Sequence, residues 1–577
     1  MRIALAQQNY HIGNFEKNTS KIIAAIQQAR AAGAELVVFS ELSVCGYPPR
    51  DFLEFEDFLN QCNASIEQIK QHTGGIGVII GAPQKNPNPL GKDLFNAAWF
   101  LYNREVIGVS HKTLLPTYDV FDEYRYFEPA FEWQVIPFKN HRIALTICED
   151  IWNLGDNPLY RVCPMDILAQ QQPDLMINIS ASPFDYDHDE DRKEVAKANV
   201  LKYKVPLLYC NAVGSQTEII FDGGSLVYDA TGNLLKEMAY FEEAFYVTDI
   251  TAGTIEPAQP TQITGQQPAT ISGQTDQEMR VSKISNPDHI IDFLTAHNNI
   301  RQIYQALILG IRDYFQKMNF SKAILGSSGG IDSAVVLALA CEALGAENVT
   351  AVLMPSPFSS DHSVSDAEQL SKTLGNPYHV IPINNIYESF LTGLKPLFKD
   401  LPFGLAEENI QSRSRGNLLM AIANKFGYIL LNTSNKSELA TGYGSLYGDM
   451  AGGLSVLGDV YKMQVYALAR YINRGKEIIP VSVIEKAPSA ELRPNQKDSD
   501  SLPDYNVLDK VLYQYIERRQ GPKEIIAMGV DPALVNRVLR LVNINEYKRN
   551  QFCPIIRVSS KAFGVGRRMP IVGKYLS

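Results

Sequence analysis

The sequence lacks any apolar run long enough to cross a membrane, although 45% of its 577 residues are hydrophobic. A membrane-spanning helix needs about 20 consecutive apolar residues. The N-terminal segment turns polar after MRIALA, whereas the apolar core of a signal peptide needs about 7–15 residues. We therefore expect a protein that is not bound to a membrane and that works in the cytoplasm.

Positive charge is also in short supply. The chain has 53 lysines and arginines against 63 acidic residues, which gives a net charge of −10. Because the basic residues are dispersed, we expect no nucleic-acid partner, since non-specific binding to a polyanion needs a basic surface. A nucleotide needs only a local site, so a small phosphate-bearing ligand stays open.

Cysteines are few and do not have the spacing of metal ligands. An odd number of cysteines without such spacing is typical of reduced thiols in a cytosolic protein, and it leaves one thiol available for catalysis. The seven are Cys45, Cys62, Cys148, Cys163, Cys210, Cys341 and Cys553.

The length and one change of composition predict two domains. A single hydrophobic core rarely grows beyond about 250–300 residues. Glycine, proline, threonine and glutamine dominate residues 251–285, where large apolar residues nearly vanish. Such a composition is typical of a linker. We predict domains at 1–250 and 286–577 with the linker 251–285 between them.

Both halves read as α/β. Strand-length apolar runs and helical periodicity at 15–32 and 189–204 alternate in the first half, and Thr231 to Asn233 mark the tip of a hairpin, which predicts mixed strand pairing. Strict alternation in the second half predicts a parallel, doubly wound sheet of Rossmann-like type. The predicted strands are 3–6, 36–39, 76–80, 143–147, 175–179, 207–209, 323–325, 349–354, 379–383 and 428–431, and the predicted C-terminal helices are 288–318, 333–343, 361–374 and 404–426.

A run of small residues separates strand 323–325 from the helix that follows it, in KAILGSSGGIDSAVV. Backbone N–H groups converge in such a turn, and the helix N-terminus adds a positive dipole end, so the turn suits a phosphate. It is not a Walker A loop, because no Gly-Lys-Ser/Thr follows the glycines. The alternative is an ordinary helix start in which Asp332 or Ser333 only caps the helix.

The pattern Ser-Gly-Gly-x-Asp-Ser resembles the pyrophosphate-binding loop of the N-type ATP pyrophosphatases. These enzymes transfer AMP to a carbonyl oxygen and release pyrophosphate, so the resemblance implies ATP as a co-substrate. Several families share the loop, which therefore indicates a reaction type and not a substrate. The residues implied to bind ATP here are Gly326, Ser327, Ser328, Gly329, Gly330, Ile331, Asp332 and Ser333.

Residues that follow the glycine-rich turn in the chain limit the choice of substrate. Asn432 to Asn435 follow strand 428–431 at its carboxyl end, where ligands bind in open α/β sheets. Glu438 lies near the same end, and together with Asp332 it could hold Mg²⁺ on the phosphate oxygens.

The stretch from Glu408 to Ile472 resembles NAD synthetase. That resemblance implies Thr433 near ATP, and it implies a weaker assignment for Lys462. One departure is visible, since Ser445-Leu446-Tyr447-Gly448-Asp449 stands where ammonia-using members tend to read Thr-Lys-Tyr-Gly-Asp. The residues implied near nicotinic acid adenine dinucleotide (deamido-NAD) are Asn409, Glu438, Tyr443, Gly444, Ser445, Leu446 and Lys561.

Three reactive side chains follow apolar strands in the first half. They are Glu41, Lys112 and Cys148. A cysteine at a strand end is more often a small buried residue, but amide hydrolysis by a thiol needs a base, a nucleophile and a cation for the oxyanion. These three supply those roles.

Their order resembles the nitrilase superfamily over residues 1–250. The resemblance implies a four-layer α-β-β-α sandwich, a homo-oligomer, and Glu41 as base, Lys112 as oxyanion stabiliser and Cys148 as nucleophile. Glu123 is either a supporting carboxylate or a solvated acid at a helix start. In the glutaminase branch, the corresponding glutamine-binding residues are Tyr118, Ser182 and His188, the last being a departure because lysine is frequent there.

Together, the two halves resemble the glutamine-dependent NAD⁺ synthetase family. The resemblance implies that glutamine, ATP and deamido-NAD⁺ are the substrates, with ammonia passed internally between the domains. Three alternatives remain: another amidotransferase with the same loop, a nucleotide-sensing protein without catalysis, and an ammonia-dependent synthetase with a vestigial amidase domain.

Overall fold

The computed structural model describes residues 1–154, 159–186, 188–250, 289–494 and 496–576; the side chains of His188 and Asp361 are outside this description. The chain divides into two compact units, Met1–Ser282 and Lys283–Ser577. The predicted linker 251–285 lies outside the described residues.

The N-terminal unit contains two six-stranded sheets and a short hairpin. The first sheet has the order β14-β1-β2-β3-β4-β5, and the second has the order β13-β12-β9-β8-β7-β6. Parallel pairs stand at the centre of each sheet and antiparallel pairs at its edges, so the predicted mixed pairing is confirmed. The strands are β1 Arg2–Gln7, β2 Leu36–Val38, β3 Gly77–Lys85, β4 Leu94–Tyr102, β5 Glu105–His111, β6 Ile136–Phe138, β7 His141–Ile147, β8 Leu175–Ser180, β9 Leu207–Asn211, β10 Val213–Gln216, β11 Ile219–Asp222, β12 Leu226–Tyr228, β13 Leu234–Glu237 and β14 Ala244–Asp249.

Alternating side chains make this unit four layers thick. In β1, Ile3 and Leu5 join the core between the two sheets, which also contains Leu145 and Ile177 of the second sheet. The intervening alanines of β1 face helices on the outside of the first sheet. Two further helices cover the outer face of the second sheet, and the predicted α-β-β-α sandwich is confirmed. These helices are α1 Phe15–Ala31, α2 Glu56–Lys70, α3 Pro164–Ala169 and α4 His188–Tyr203.

The C-terminal unit contains one five-stranded parallel sheet with the order β17-β16-β15-β18-β19. The chain starts at the central strand β15, adds two strands on one side, and then returns to add two on the other. The order therefore reverses between β15 and β18, which is where open α/β sheets form a crevice. The strands are β15 Ala323–Gly326, β16 Val349–Leu353, β17 Tyr378–Val380, β18 Ile429–Asn432 and β19 Leu454–Ser455.

Helices pack on this parallel sheet as the alternating pattern predicts. Leu419 and Ala423 of α10 form a core with Ile324 of β15, while α7 packs against β15 and β16. The helices are α5 Ile290–Leu294, α6 His297–Lys317, α7 Ile331–Leu344, α8 Asp361–Leu374, α9 Asn384–Phe398, α10 Leu405–Phe426, α11 Lys436–Thr441, α12 Lys462–Ile472, α13 Val481–Glu485, α14 Tyr505–Ile516, α15 Pro522–Ala527, α16 Pro532–Ile544 and α17 Glu546–Arg549.

One predicted helix is wrong in a way that has a local cause. The helix expected over 288–318 is divided into α5 and α6. The Thr295 hydroxyl donates a hydrogen bond to the Ile291 carbonyl at 2.7 Å, and Ala296 takes an extended conformation with ψ 137°. A threonine that bonds back to the preceding turn competes with helix continuation.

Of the helices in the described residues, none is at once long and apolar enough to cross a membrane.

Candidate active sites

Lys112 joins the two carboxylates of the N-terminal site. Its Nζ lies 2.8 Å from Glu41 Oε1 and 2.8 Å from Glu123 Oε1, and all three side chains are buried. Glu41 follows β2 and Lys112 follows β5, so both come from the carboxyl ends of strands in the first sheet. Glu123 is therefore a buried partner of Lys112, and the alternative of a solvated acid is wrong.

The other bonds of Glu41 hold its carboxylate in one orientation. Asn96 Nδ2 donates to Oε1 at 2.7 Å, and the Ala181 amide donates to Oε2 at 3.0 Å. Because Ser182 follows Ala181 directly, this bond also connects the predicted glutamine-binding segment to Glu41, the predicted base.

Cys148 begins a 3-10 turn directly after β7 and has a left-handed backbone, with φ 44°. A non-glycine residue in that region carries strain, which persists where the surroundings fix it. Asp150 supplies this fixation, since it accepts hydrogen bonds from the amides of Thr113, Leu114 and Ile147 at 2.9–3.0 Å. The turn bearing the thiol is thus tied to the segment that follows Lys112.

The charges of this cluster act on one another. Burial by itself lowers the pKa of Lys112, but Glu123 and Glu41 outweigh it and hold the value well above that of a free lysine. Burial, helped by Glu41, raises the pKa of the Cys148 thiol, and Lys112 opposes that rise. The resting group is therefore a thiol, which needs a base to form the nucleophile.

A further carboxylate, Glu149, directly follows Cys148 in the chain and helps to raise the pKa of its thiol. It is buried, and it accepts hydrogen bonds from the Tyr118 hydroxyl at 3.1 Å and from the Tyr160 hydroxyl at 3.2 Å. The sequence interpretation missed Glu149; its only signal is the run of acids that follows the cysteine. Of the three predicted glutamine-binding residues, Tyr118 and Ser182 belong to this region, and the side chain of His188 lies outside the described residues.

The C-terminal unit has a cavity of about 270 Å³ at the switch point of its sheet. The turn Gly326 to Gly330, which the sequence predicts to bind phosphate and which is called the phosphate loop below, forms one side. Asn432 to Ser434, at the end of β18, form another. Every predicted ATP-binding residue except Gly329 lines it. Gly330 is the N-cap of α7 and no side chain caps this helix within the described residues, so the alternative in which Asp332 or Ser333 only caps the helix is wrong.

Gly329 supports the loop from behind. Its φ is +77°, and a Cβ at this position would lie 2.2 Å from the Ser363 carbonyl oxygen. Only glycine meets both conditions without a shift of the backbone. The phosphate loop is therefore held directly against the start of α8.

Lys462 lies between the two carboxylates predicted to bind a metal. Its Nζ is 2.6 Å from Asp332 Oδ2 and 3.4 Å from Glu438 Oε1, while Asn435 Nδ2 donates to Asp332 Oδ1 at 2.8 Å. Asn435 and Glu438 also form a capping box at the start of α11. Burial and the charge of Asp332 raise the pKa of Glu438 to about 8, against the influence of Lys462.

The two carboxylates of Asp332 and Glu438 suit Mg²⁺ coordinated partly by a nucleotide better than a metal ion coordinated by protein side chains alone. In the described residues, no group of three or more His, Cys, Asp or Glu side chains gathers as a metal cage. Mg²⁺ in nucleotide sites takes one or two carboxylates and completes its octahedron with phosphate oxygens and water. Asp332 and Glu438 line the same cavity as the phosphate loop and meet that requirement.

Fewer of the predicted deamido-NAD residues than of the predicted ATP residues line this cavity. Glu438 and Tyr443 line the cavity. Ser445 donates its hydroxyl hydrogen bond to Asn409 Oδ1, and the Lys561 carbonyl accepts a bond from Lys436 at 3.0 Å; neither pair lines the cavity.

Other cavity residues escaped the sequence interpretation. Asp449 accepts a bond from the Ser445 amide at 2.6 Å, and burial raises its pKa. Asp498 accepts bonds from the hydroxyls of Tyr443 at 3.1 Å and Tyr505 at 2.9 Å. The irregular segment 486–498 contributes Asp498, Lys486 and several neighbours, and no periodicity marks such a segment.

Comparisons with known proteins identify the class of each half. The family model for carbon-nitrogen hydrolases matches residues 2–259, and the model for NAD synthase matches residues 303–552. A carbon-nitrogen hydrolase joined to an NAD synthase defines an amide-forming ligase with its own amidase.

Full-length relatives then define the family. A glutamine-dependent NAD(+) synthetase of Synechocystis is 44% identical over 578 residues, covering 99% of this chain and 98% of the relative. The enzyme of the same name from Thermotoga maritima is 40% identical over 584 residues, covering 100% and 99%. This chain belongs to the glutamine-dependent NAD(+) synthetase family.

Solved structures agree with this assignment. The glutamine-dependent NAD⁺ synthetase from Acinetobacter baumannii, in complex with adenosine diphosphate, has a TM-score of 0.73 and 35% identity, with 100% of this chain and 99% of that chain covered. A second synthetase, from Cytophaga hutchinsonii, has a TM-score of 0.79 at 19% identity over 100% and 98% of the chains, which supports the fold alone.

Proposed function

We propose that this chain amidates deamido-NAD⁺ to NAD⁺, using ATP and the amide nitrogen of L-glutamine. The observation that supports the proposal is the presence, in one chain, of residues suited to both reactions. Cys148 lies with Glu41 and Lys112 in the N-terminal unit. In the C-terminal unit, the phosphate loop, Asp332 and Glu438 line one cavity.

The N-terminal site makes the ammonia. Cys148 Sγ attacks the side-chain amide carbon of glutamine while Glu41 takes the thiol proton, and the Lys112 ammonium stabilises the tetrahedral oxyanion. Glu41 then returns the proton to the leaving nitrogen, which departs as NH₃. Water, deprotonated by Glu41, cleaves the glutamyl thioester to glutamate and the free thiol.

Glutamine recognition uses the surroundings of the thiol. Tyr118 and Glu149 receive the α-ammonium group, because a buried carboxylate held by two tyrosine hydroxyls offers acceptors and negative charge to a cation. Ser182 and His188 receive the α-carboxylate. The charge of a histidine in that role depends on pH, unlike that of a lysine.

The C-terminal site uses the ammonia. ATP lies on the phosphate loop, and the nicotinate carboxylate attacks the α-phosphorus, so that pyrophosphate leaves and an acyl adenylate forms. NH₃ attacks the activated carbonyl carbon, loses a proton, and releases AMP. Asp332 and Glu438 would hold Mg²⁺, which neutralises charge on the pyrophosphate oxygens. Lys462 would then turn its ammonium toward the phosphates.

The remaining assignments follow the same scheme. The residues proposed for ATP are Gly326 to Ser333 with Thr433, and those for deamido-NAD⁺ are Asn409, Glu438, Tyr443 to Leu446 and Lys561. Ammonia is mostly protonated at neutral pH, so internal transfer supplies it in its nucleophilic form. We also propose a homo-oligomer, and the seven free thiols support a cytoplasmic location.

One experiment tests the two sites together. The full chain is incubated with deamido-NAD⁺, MgATP and either glutamine or ammonium, and NAD⁺ is followed by mass spectrometry. Wild type should use both nitrogen sources, and Cys148→Ala should lose only the glutamine reaction. Cys163→Ala, at a half-buried cysteine bonded to Tyr203, is the matched control and should keep both.

The outcomes separate the alternatives. Equal glutamine-driven rates in wild type and Cys148→Ala would contradict the coupled mechanism. Wild type that forms NAD⁺ from ammonium but not from glutamine would mean that the amidase domain is vestigial. Absence of NAD⁺ with both nitrogen sources in wild type would contradict the proposal, and ATP binding without AMP release would indicate a nucleotide sensor.

A further inference from the structure

Glu491 stands in a backbone conformation that its residue type disfavours. It belongs to the irregular segment between α13 and Asp498, which lines the phosphate-loop cavity, and its φ is 48°. Left-handed backbone is uncommon for a residue with a Cβ, and strain of this kind is concentrated at functional sites. A glycine at position 491 would relieve this backbone strain, so the presence of a glutamate there must be explained by what its side chain contacts.

The carboxylate of Glu491 makes a dense set of bonds to the start of α8. Oε1 accepts from the Ser363 hydroxyl at 2.8 Å and the Ser360 hydroxyl at 3.0 Å, and Oε2 accepts from the Ser360 amide at 3.2 Å. The Lys486 ammonium lies 2.7 Å from Oε1 and 2.5 Å from the Ser363 hydroxyl. These partners hold the pKa of Glu491 below its usual range despite burial, which raises it.

The same two serines lead to the phosphate loop. Ser360 is the N-cap of α8 and accepts a bond from the Ser363 amide at 3.3 Å. The Ser363 backbone is the surface on which Gly329 rests, at a distance that excludes any side chain on that glycine. A short path therefore runs from Glu491 through Ser363 to the turn proposed to bind the ATP phosphates.

The other described residues of this segment, 486–494 and 496–498, bond both to one another and to their surroundings, as Asp498 does to the hydroxyls of Tyr443 and Tyr505. Ser489 Oγ donates to the Gln496 carbonyl at 2.6 Å, and the Asp498 amide donates to the Pro488 carbonyl at 3.1 Å. Outside the segment, Gln411 Nε2 donates to the Leu492 carbonyl at 2.8 Å. Glu491, together with Lys486, thus supplies a charged attachment between this segment and the start of α8, while Arg493 lies 3.9 Å from Glu408 of α10.

We propose that Glu491 is a positioning residue for ATP, which sets the distance between the wall at 486–498 and the phosphate loop by clamping Ser360 and Ser363. The inference rests on the proposed use of ATP in this cavity. Glu491 itself touches no reacting atom. Its loss should weaken ATP binding more than it slows the chemistry at saturating ATP, because the loop and the metal carboxylates keep their own supports.

The test uses graded variants of the full chain. Glu491→Gly removes the carboxylate and also the backbone strain, whereas Glu491→Gln keeps the shape and loses the charge. Ser363→Ala removes one clamped hydroxyl. Glu485→Gln, at an exposed acid that ends α13 directly before this segment, is the charge-matched control.

Two measurements are made on each variant. Ammonium-driven NAD⁺ formation gives KM for ATP and kcat, and calorimetric titration with ATP gives the dissociation constant directly. We expect KM and Kd for ATP to rise about tenfold in Glu491→Gly, as the loss of charge-assisted hydrogen bonds implies. Glu491→Gln and Ser363→Ala should show smaller rises, and Glu485→Gln should show none.

The contrary outcomes are distinct. A role in folding alone would lower kcat and the melting temperature of Glu491→Gly with KM and Kd for ATP unchanged, and that result overturns the inference. If Glu491→Gly fails to fold, wild-type ATP affinity in both Glu491→Gln and Ser363→Ala overturns it equally. If the wild-type chain binds no ATP, that result would contradict the proposed function as well as this inference.

Discussion

Lys112 Nζ and Glu41 Oε1 lie 2.8 Å apart, and both side chains are buried from solvent. The lysine is shared with Glu123 at the same distance, so one cation faces two carboxylates. A buried pair of this kind gives little net stability, but removal of one partner leaves uncompensated charge. The arrangement is therefore suited to hold a base and an oxyanion stabiliser in place rather than to strengthen the fold.

Lys112→Met should abolish glutaminase activity and destabilise the N-terminal unit. The substitution leaves two buried carboxylates without their cation, which costs about 3–5 kcal/mol in comparable cases. Urea unfolding followed by a probe in the N-terminal unit measures the loss. Lys85→Met, at an exposed lysine 3.5 Å from Glu56, should change the free energy of unfolding by less than about 1 kcal/mol. Equal stability of the two variants would contradict the assignment of Lys112 as the central cation.

Glu149→Gln should raise the KM for glutamine about tenfold, because a charge-assisted bond to the α-ammonium is lost. Glutaric acid monoamide, which is glutamine without its amino group, provides the decisive comparison. Its hydrolysis by the variant should match that by wild type. If both substrates lose activity to the same extent, Glu149 supports the fold of the site and does not read the ammonium group. Glu194→Gln, on the exposed side of α4, is the control for charge.

Residues at strand ends were predictable because a motif and a topological position coincide there. Glu41, Lys112 and Cys148 each follow a strand, and the phosphate loop follows β15. Glu123 could not be decided from the chain, because its role depends on a lysine eleven positions away folding back onto it. The burial of Glu123 beside Lys112 shows that it is not a solvated acid.

Residues whose role depends on distant partners could not be predicted from the sequence, for a physical reason. The Glu149 carboxylate accepts hydrogen bonds from Tyr118 and Tyr160. The Glu491 carboxylate accepts hydrogen bonds from serines about 130 positions earlier in the chain. Neither contact leaves a period or a spacing in the sequence. The deamido-NAD residues, which came from the resemblance alone, stay predictions.

Gly81→Ala should disturb the general base although Gly81 carries no chemistry. A Cβ on this residue of β3 would lie 2.1 Å from the Leu42 amide nitrogen and 2.7 Å from the Glu41 carbonyl carbon. The backbone bearing Glu41 must then move, at a cost of about 1–3 kcal/mol typical of an overpacked core. We expect glutaminase kcat to fall while ammonium-driven synthesis is retained. Gly74→Ala, which meets nothing within 4 Å, should leave both activities and the stability unchanged; a parallel loss there would point to a general effect of the substitution.

The ligand-free chain should lose stability as the pH rises from about 5 to above 8. Burial raises the pKa of Glu438 to about 8 and that of Asp509 to about 7, whereas unfolding returns both to ordinary values near 4. Between these limits the folded state binds more protons than the unfolded state, so the free energy of unfolding falls with pH, by up to about 1.4 kcal/mol per pH unit for each such group. Urea unfolding at several pH values gives the slope. Glu438→Gln removes one of the titrating groups and should flatten the slope above pH 6, while Glu485→Gln should keep that of wild type. An unchanged slope in Glu438→Gln would mean that the Glu438 carboxyl is already ionised in the folded chain, with Lys462 outweighing both burial and Asp332.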